Sequence, residues 1–174
     1  MLPNSVVGRA FSKIGVENET LLADLPAMVE LGLQKIYGFQ HNDGGWGWWY
    51  DDSSSEYQTA YVLFGLAATR DAGYAVDAGV MERGATWLGG ELDDMDPRTA
   101  AYALYALTMG GDENILESAQ VLADGVLAGE SELDVFSRAA LAIALQESGD
   151  AERAQSLVDG ITSEAKETDD EAYW

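Results

Sequence analysis

The sequence predicts an all-α chain of paired helices around a common centre, on three observations. Apolar residues recur at spacings of three and four through most of the chain, the pattern of a helix with one buried face. A block rich in Ala, Tyr and Leu returns about every 40 residues, the period of stacked helical hairpins. Proline occurs only at Pro3, Pro26 and Pro97, which leaves long stretches free to be helical between Gly- and Asp-rich breaks.

In chain order, Ser5 to Ile14 reads as a short helix ending at Gly15. From Thr20 to Gln40, residues such as Leu21, Leu25, Met28, Val29, Leu33, Ile36 and Tyr37 keep the helical period. Pro26 sets the expected start of that helix near Asp24, because proline is accommodated in a first turn. His41-Asn42-Asp43-Gly44-Gly45 is a strong turn signal. Tyr57 to Thr69 follows as a buried helix, with Gly73 beyond its end. Asp77 is placed to cap a helix from Ala78 to Leu88, closed by Gly89 and Gly90. Asp96 and Pro97 open the next, and Gly110 and Gly111 close it. Glu113 to Leu127, Asp134 to Glu147 and Ala151 to Ile161 complete a set of eight helices, with no convincing strand.

The repeat is visible in register. Thr59-Ala60-Tyr61-Val62-Leu63-Phe64-Gly65-Leu66 aligns with Arg98 to Leu107 and again with Ser137 to Leu145. In each unit a helix apolar nearly all round precedes a more acidic, amphipathic one. An all-round apolar helix is expected to be buried on every side. Alternation of that kind fits a barrel with inner and outer helical rings better than an open solenoid, which stays as the alternative.

Composition narrows the functions open to such a chain. With 174 residues and a hydrophobic share of 47%, it can bury roughly 70% of its unfolded surface as one domain. Thirty-one acidic residues against nine basic ones repel nucleic acid and anionic membranes, so neither is an expected partner. There is no cysteine, which removes disulfides, thiol nucleophiles and thiolate metal sites. No apolar run approaches the ~20 residues of a membrane-spanning helix, and no signal peptide is visible at Met1.

The most specific segment runs from Leu33 through Gln40-His41-Asn42-Asp43-Gly44-Gly45-Trp46-Gly47-Trp48-Trp49, then an acidic spacer, then Tyr57-Gln58-Thr59-Ala60-Tyr61. A helix ending in Gln, a Gly-Gly turn, a Trp-rich loop and a Thr-Ala-Tyr helix resembles the thioester domain of alpha-2-macroglobulin-like proteins, especially the bacterial ones. Asp71-Ala72-Gly73-Tyr74 fits that pattern too. The resemblance implies an incomplete α/α toroid of about four helical hairpins, the barrel also used by terpenoid cyclases and protein prenyltransferases. It implies a parent that is a broad-spectrum endopeptidase inhibitor, periplasmic, secreted or at the cell surface. In such a parent a protease cleaves a bait segment, and an exposed thioester acylates a lysine of the protease. The implied partners are neighbouring domains of the parent and, through it, proteases. In the family, a stretch like Leu2-Pro3-Asn4 follows shortly after the thioester's Cys and Gln. Residues 1–174 are therefore expected to be a partial domain, cut at both ends, without the thioester, without cofactor and without enzyme activity of its own.

Each candidate site has a structural role beside the functional one. Trp46, Trp48, Trp49 and Tyr50 form an aromatic loop that Gly44, Gly45 and Gly47 allow to turn sharply. These rings either cap the helical barrel or form a contact surface toward a neighbouring domain, which is the possible interdomain contact assigned to them. One or two of the tryptophans are expected to be partly exposed. His41 is the only histidine, too little for a zinc set, and a turn role is expected. Asp93-Asp94-Met95-Asp96 resembles the Asp-rich motif of terpene cyclases, the rival enzyme reading; a helix start explains it better. Asp43, Asp51, Asp52 and Glu56 offer oxygen ligands, but their spacing matches no calcium loop. A plain helical-repeat binding module is the third reading.

Overall fold

A computed structural model describes residues 19–112, 114–167 and 172–173. Its helices are α1 (Glu19–Gly38), α2 (Glu56–Asp71), α3 (Ala78–Gly90), α4 (Pro97–Gly110), α5 (Leu116–Leu127), α6 (Val135–Glu147) and α7 (Ala151–Glu164). A single 3-10 turn, Leu92–Asp94, precedes α4. Among the described residues the only strands are Lys166–Glu167 and Ala172–Tyr173, paired antiparallel over two residues each. The chain is thus all-helical in substance. The helix expected from Ser5 to Ile14 lies outside the described residues. The chain divides into two units, through Leu88 and from Gly89 onward.

In the first unit, α1 buries Leu25, Val29 and Leu33, one residue per turn along a single face. The observed span corrects the expected start of the helix near Asp24. It begins at Glu19, and Pro26 sits inside it. Proline there removes one backbone hydrogen bond, which a 20-residue helix packed from Leu25 onward tolerates. Helix α2 buries Thr59, Ala60, Leu63, Leu66 and Ala67, and α3 buries Val80, Met81, Gly84 and Leu88. Asp77 caps α3 as expected, its Oδ1 accepting from Val80 N at 3.1 Å. The Gly89-Gly90 pair belongs to the last turn of α3 and does not follow it.

In the second unit, α6 packs against both α4 and α7. Leu104, Leu107, Leu141, Leu145 and Leu157 are fully buried there. Three of its helix starts are marked by an aspartate: Asp96 for α4, Asp134 for α6 and Asp150 for α7. Gly111 ends α4 in the left-handed region, at φ 95°. Helix α5 starts at Leu116, later than expected, and Asp112 accepts from Asn114 N at 2.9 Å ahead of it. Arg153 of α7 ties the helix ends together, donating to Asp124 of α5 at 2.7 Å and to Asp150 at 2.8 Å.

Burial on every side holds for α4 from Thr99 to Gly110, where no residue is exposed, but not for α2 and α6. Tyr57 and Tyr61 on α2 and Phe136 and Ile143 on α6 are all exposed. Leucines and small residues of these two helices form one packed face, and Tyr57, Tyr61, Phe136 and Ile143 project from the other.

The cap of α4 offers a check on the local physics. Asp96 accepts from Thr99 Oγ1 at 2.6 Å and from Arg98 N at 3.0 Å. The Thr99 hydroxyl, and then the backbone N–H groups, hold the Asp96 carboxyl below its usual range against the opposing effect of burial. Folding lowers this group, so its stabilisation is complete above the ordinary Asp range and is lost as pH falls through the folded value. Asp96→Ala should cost about 1 kcal/mol at neutral pH, as helix caps typically do. Urea unfolding should show that cost shrinking toward pH 2; an undiminished difference in acid would contradict the role of the carboxylate.

Candidate functional site

The loop from Phe39 to Ser55 is held by side chains that bond its own backbone. Where α1 ends, the Gln40 amide Nε2 donates to Gly44 O and to Val80 O, both at 2.9 Å. Its Oε1 accepts from Arg83. Gln40 therefore fastens the loop to α3. A tight turn follows, with Gly44 N donating to His41 O at 3.0 Å and His41 N to Gly45 O at 2.9 Å. Gly44 has φ 103°, and a Cβ there would stand 2.6 Å from Arg83 O. Both facts require glycine.

Asp43 closes this turn, Oδ1 accepting from Gly45 N at 3.0 Å and from Ser54 Oγ at 2.8 Å. Burial raises the Asp43 carboxyl, but these hydrogen bonds and nearby His41 outweigh it and hold the group below its usual range. His41 bridges the loop: Nδ1 lies 2.9 Å from Ser54 Oγ, and Nε2 donates to Trp49 O at 3.1 Å. The histidine has the turn role expected of it, extended to the far side of the loop.

The aromatic residues divide sharply. Trp46 is 2% exposed. Its Nε1 donates to Ile36 O at 2.9 Å, and its backbone N to Thr59 Oγ1 at 2.9 Å. Asp52 governs the next residues, Oδ2 accepting from Trp48 N at 3.0 Å and Trp49 N at 3.1 Å. Gly47 makes room for that carboxylate, since a Cβ there would meet Asp52 Oδ1 at 1.9 Å. The backbone so held turns the next rings outward: Trp48 is 74% exposed, Trp49 72% and Tyr50 68%. Tyr50 meets Phe39 edge-on, with ring centres 6.3 Å apart.

Two hollows flank the loop. An open apolar groove of about 430 Å³ is lined by Ile36, Phe39, Trp46, Trp48, Tyr57 and Tyr61, among others. A polar cleft of about 510 Å³ is lined by His41, Asp43, Asp52, Ser54 and Trp87 with their neighbours.

The acidic candidates do not converge. Asp43 and Asp52 are committed to backbone amides, and Glu56 begins α2. Among the described residues no group of three or more His or acidic side chains is arranged to hold a metal ion. Asp93 and Asp94 sit in the 3-10 turn and Asp96 caps α4, so that cluster serves the helix start. Sequence reasoning missed Arg83, Ser54 and the Thr59 hydroxyl as loop anchors. Only Thr59 left a signal, a polar residue on an otherwise apolar helix face.

Residues 2–96 match the family model described as the A-macroglobulin TED domain. An alpha-2-macroglobulin of Thermotoga maritima is 38% identical over 97 residues, 56% of this chain and 6% of that protein. Native Escherichia coli alpha-2-macroglobulin superposes with a TM-score of 0.73 at 19% identity, over 92% of this chain and 11% of that one. A Salmonella alpha-2-macroglobulin reacted with methylamine gives 0.72 at 20% identity, over 90% and 11%. The two structural matches establish the fold. The chain thus spans a small part of the length of each of these relatives.

Proposed function

The chain belongs to the A-macroglobulin TED domain family, and from that premise we propose that it is a structural segment of the thioester domain of an alpha-2-macroglobulin-like endopeptidase inhibitor. The observation that carries this reading is the family match over residues 2–96, which takes in the whole aromatic loop. In this reading the helices are scaffold, and the covalent chemistry belongs to the rest of the parent. No cysteine stands among the 174 residues to form a thioester. His41, Asp43 and Asp52 are engaged in shaping the loop.

The parent would work outside the cytoplasm, periplasmic, secreted or at the cell surface, with proteases as its targets. No described helix is long and apolar enough to cross a membrane. Trp48, Trp49 and Tyr50 would face a neighbouring domain of the parent, while Trp46 anchors the loop from inside.

Mixing the purified chain with trypsin and with methylamine tests this division of labour. Mass spectrometry should show no covalent adduct on the chain, and trypsin should keep its activity on small and large substrates alike. A specific adduct, or trypsin shielded from large substrates only, would overturn it.

A further inference from the structure

We infer that the apolar groove beside the aromatic loop receives an arginine side chain carried on the surface of a partner protein. This rests on the proposal that the loop is a contact surface, and adds the chemistry of what it contacts. Five aromatic residues line the groove: Phe39, Trp46, Trp48, Tyr57 and Tyr61. No basic residue lines it. Aromatic faces attract a cation within about 6 Å, and a guanidinium stacks on them as well.

The surroundings favour the same charge. Asp52, next to the loop rings in sequence, accepts from the backbone N–H groups of Trp48 and Trp49. Asp51 and Glu56 flank it in sequence, and residues 19–88 hold ten acidic side chains against three Lys or Arg. Of those three, Arg83 is bonded to Gln40 and Arg70 is paired with Asp71. No charged side chain lines the groove, and the net negative charge of the surrounding segment is complementary to an arginine and draws it in from a distance. A purely apolar partner would use the rings but gain nothing from the carboxylates.

A short peptide carrying two arginines, and its citrulline analogue of the same shape without charge, test the inference against the whole chain. Tryptophan fluorescence should report saturable binding of the arginine peptide, and at least severalfold weaker binding of the citrulline form. Trp48→Ala should weaken arginine binding between about twofold and thirtyfold. Val121→Ala, similarly exposed but on α5 and outside the groove lining, should leave it unchanged. Circular dichroism confirms that both variants stay folded. Equal binding of the two peptides that still depends on Trp48 would overturn the arginine and leave an apolar contact surface standing. Binding indifferent to Trp48 would be diffuse charge attraction and would overturn the groove itself, and the contact reading with it. No binding of the arginine peptide would also overturn the inference.

Discussion

Replacing Trp46 by alanine should lower the unfolding free energy by about 3–5 kcal/mol, the usual cost of deleting a buried aromatic ring. Trp46 is 2% exposed, and its indole N–H satisfies the last full turn of α1 through Ile36 O. Its ring also lies against Gly84 of α3, so one side chain fills the space between loop and helix. The substitution removes area, leaves a cavity and strips the Ile36 carbonyl of a partner. Trp49→Ala, at a largely exposed position, should stay within about 0.5 kcal/mol of the unsubstituted chain. Urea denaturation of the two variants measures the contrast. A Trp46→Ala loss below about 1 kcal/mol would show that the loop is not anchored by this residue.

Gly84→Ala should destabilise by about 1–3 kcal/mol, although alanine is the better helix former. Propensity alone favours the substitution by about 1 kcal/mol. Against it, the new Cβ would stand 2.6 Å from Trp46 Cζ3 and 3.1 Å from Leu63 Cδ2. Both neighbours are buried in the same packed layer, so neither can swing into solvent. At Gly89, in the last turn of the same helix, a Cβ would meet nothing within 4 Å. Gly89→Ala should therefore stabilise by about 0.5–1 kcal/mol. Opposite signs along one helix would follow from packing; the same sign at both sites would refute the close contact of Gly84 with Trp46.

Features governed by local chemistry could be read directly from the residues. Asp96 followed by Pro97, with Gly111 beyond, defines α4 through a cap, a permitted proline and a left-handed terminator, and all three occur. Asp77 and Asp134 cap their helices for the same reason. The start of α1 differs from the expected one because Pro26 argues from local rules, while the stripe of Leu25, Val29 and Leu33 holds the helix through it. The outward faces of Tyr61 and Phe136 could not be read from composition, since apolar residues mark a packed face and an open one alike.

The loop was half legible. Its aromatic residues and glycines were evident, as was the expectation that one or two tryptophans would be exposed; Trp48 and Trp49 are. Which ring turns inward depends on Asp52 reaching back to Trp48 N and Trp49 N, and on Thr59 holding Trp46 N. Those bonds join residues across a loop and a helix, with no periodic trace in the chain. The same holds for Gln40 and Arg83, which fasten the loop to α3.

Protease capture by the alpha-2-macroglobulin-like parent proposed for this chain tests the inhibitor assignment most directly. Trypsin mixed with an excess of that protein should lose its activity on large protein substrates while keeping it on a small chromogenic one, and should elute in a complex with it. Undiminished cleavage of large substrates, with trypsin eluting free, would contradict the assignment.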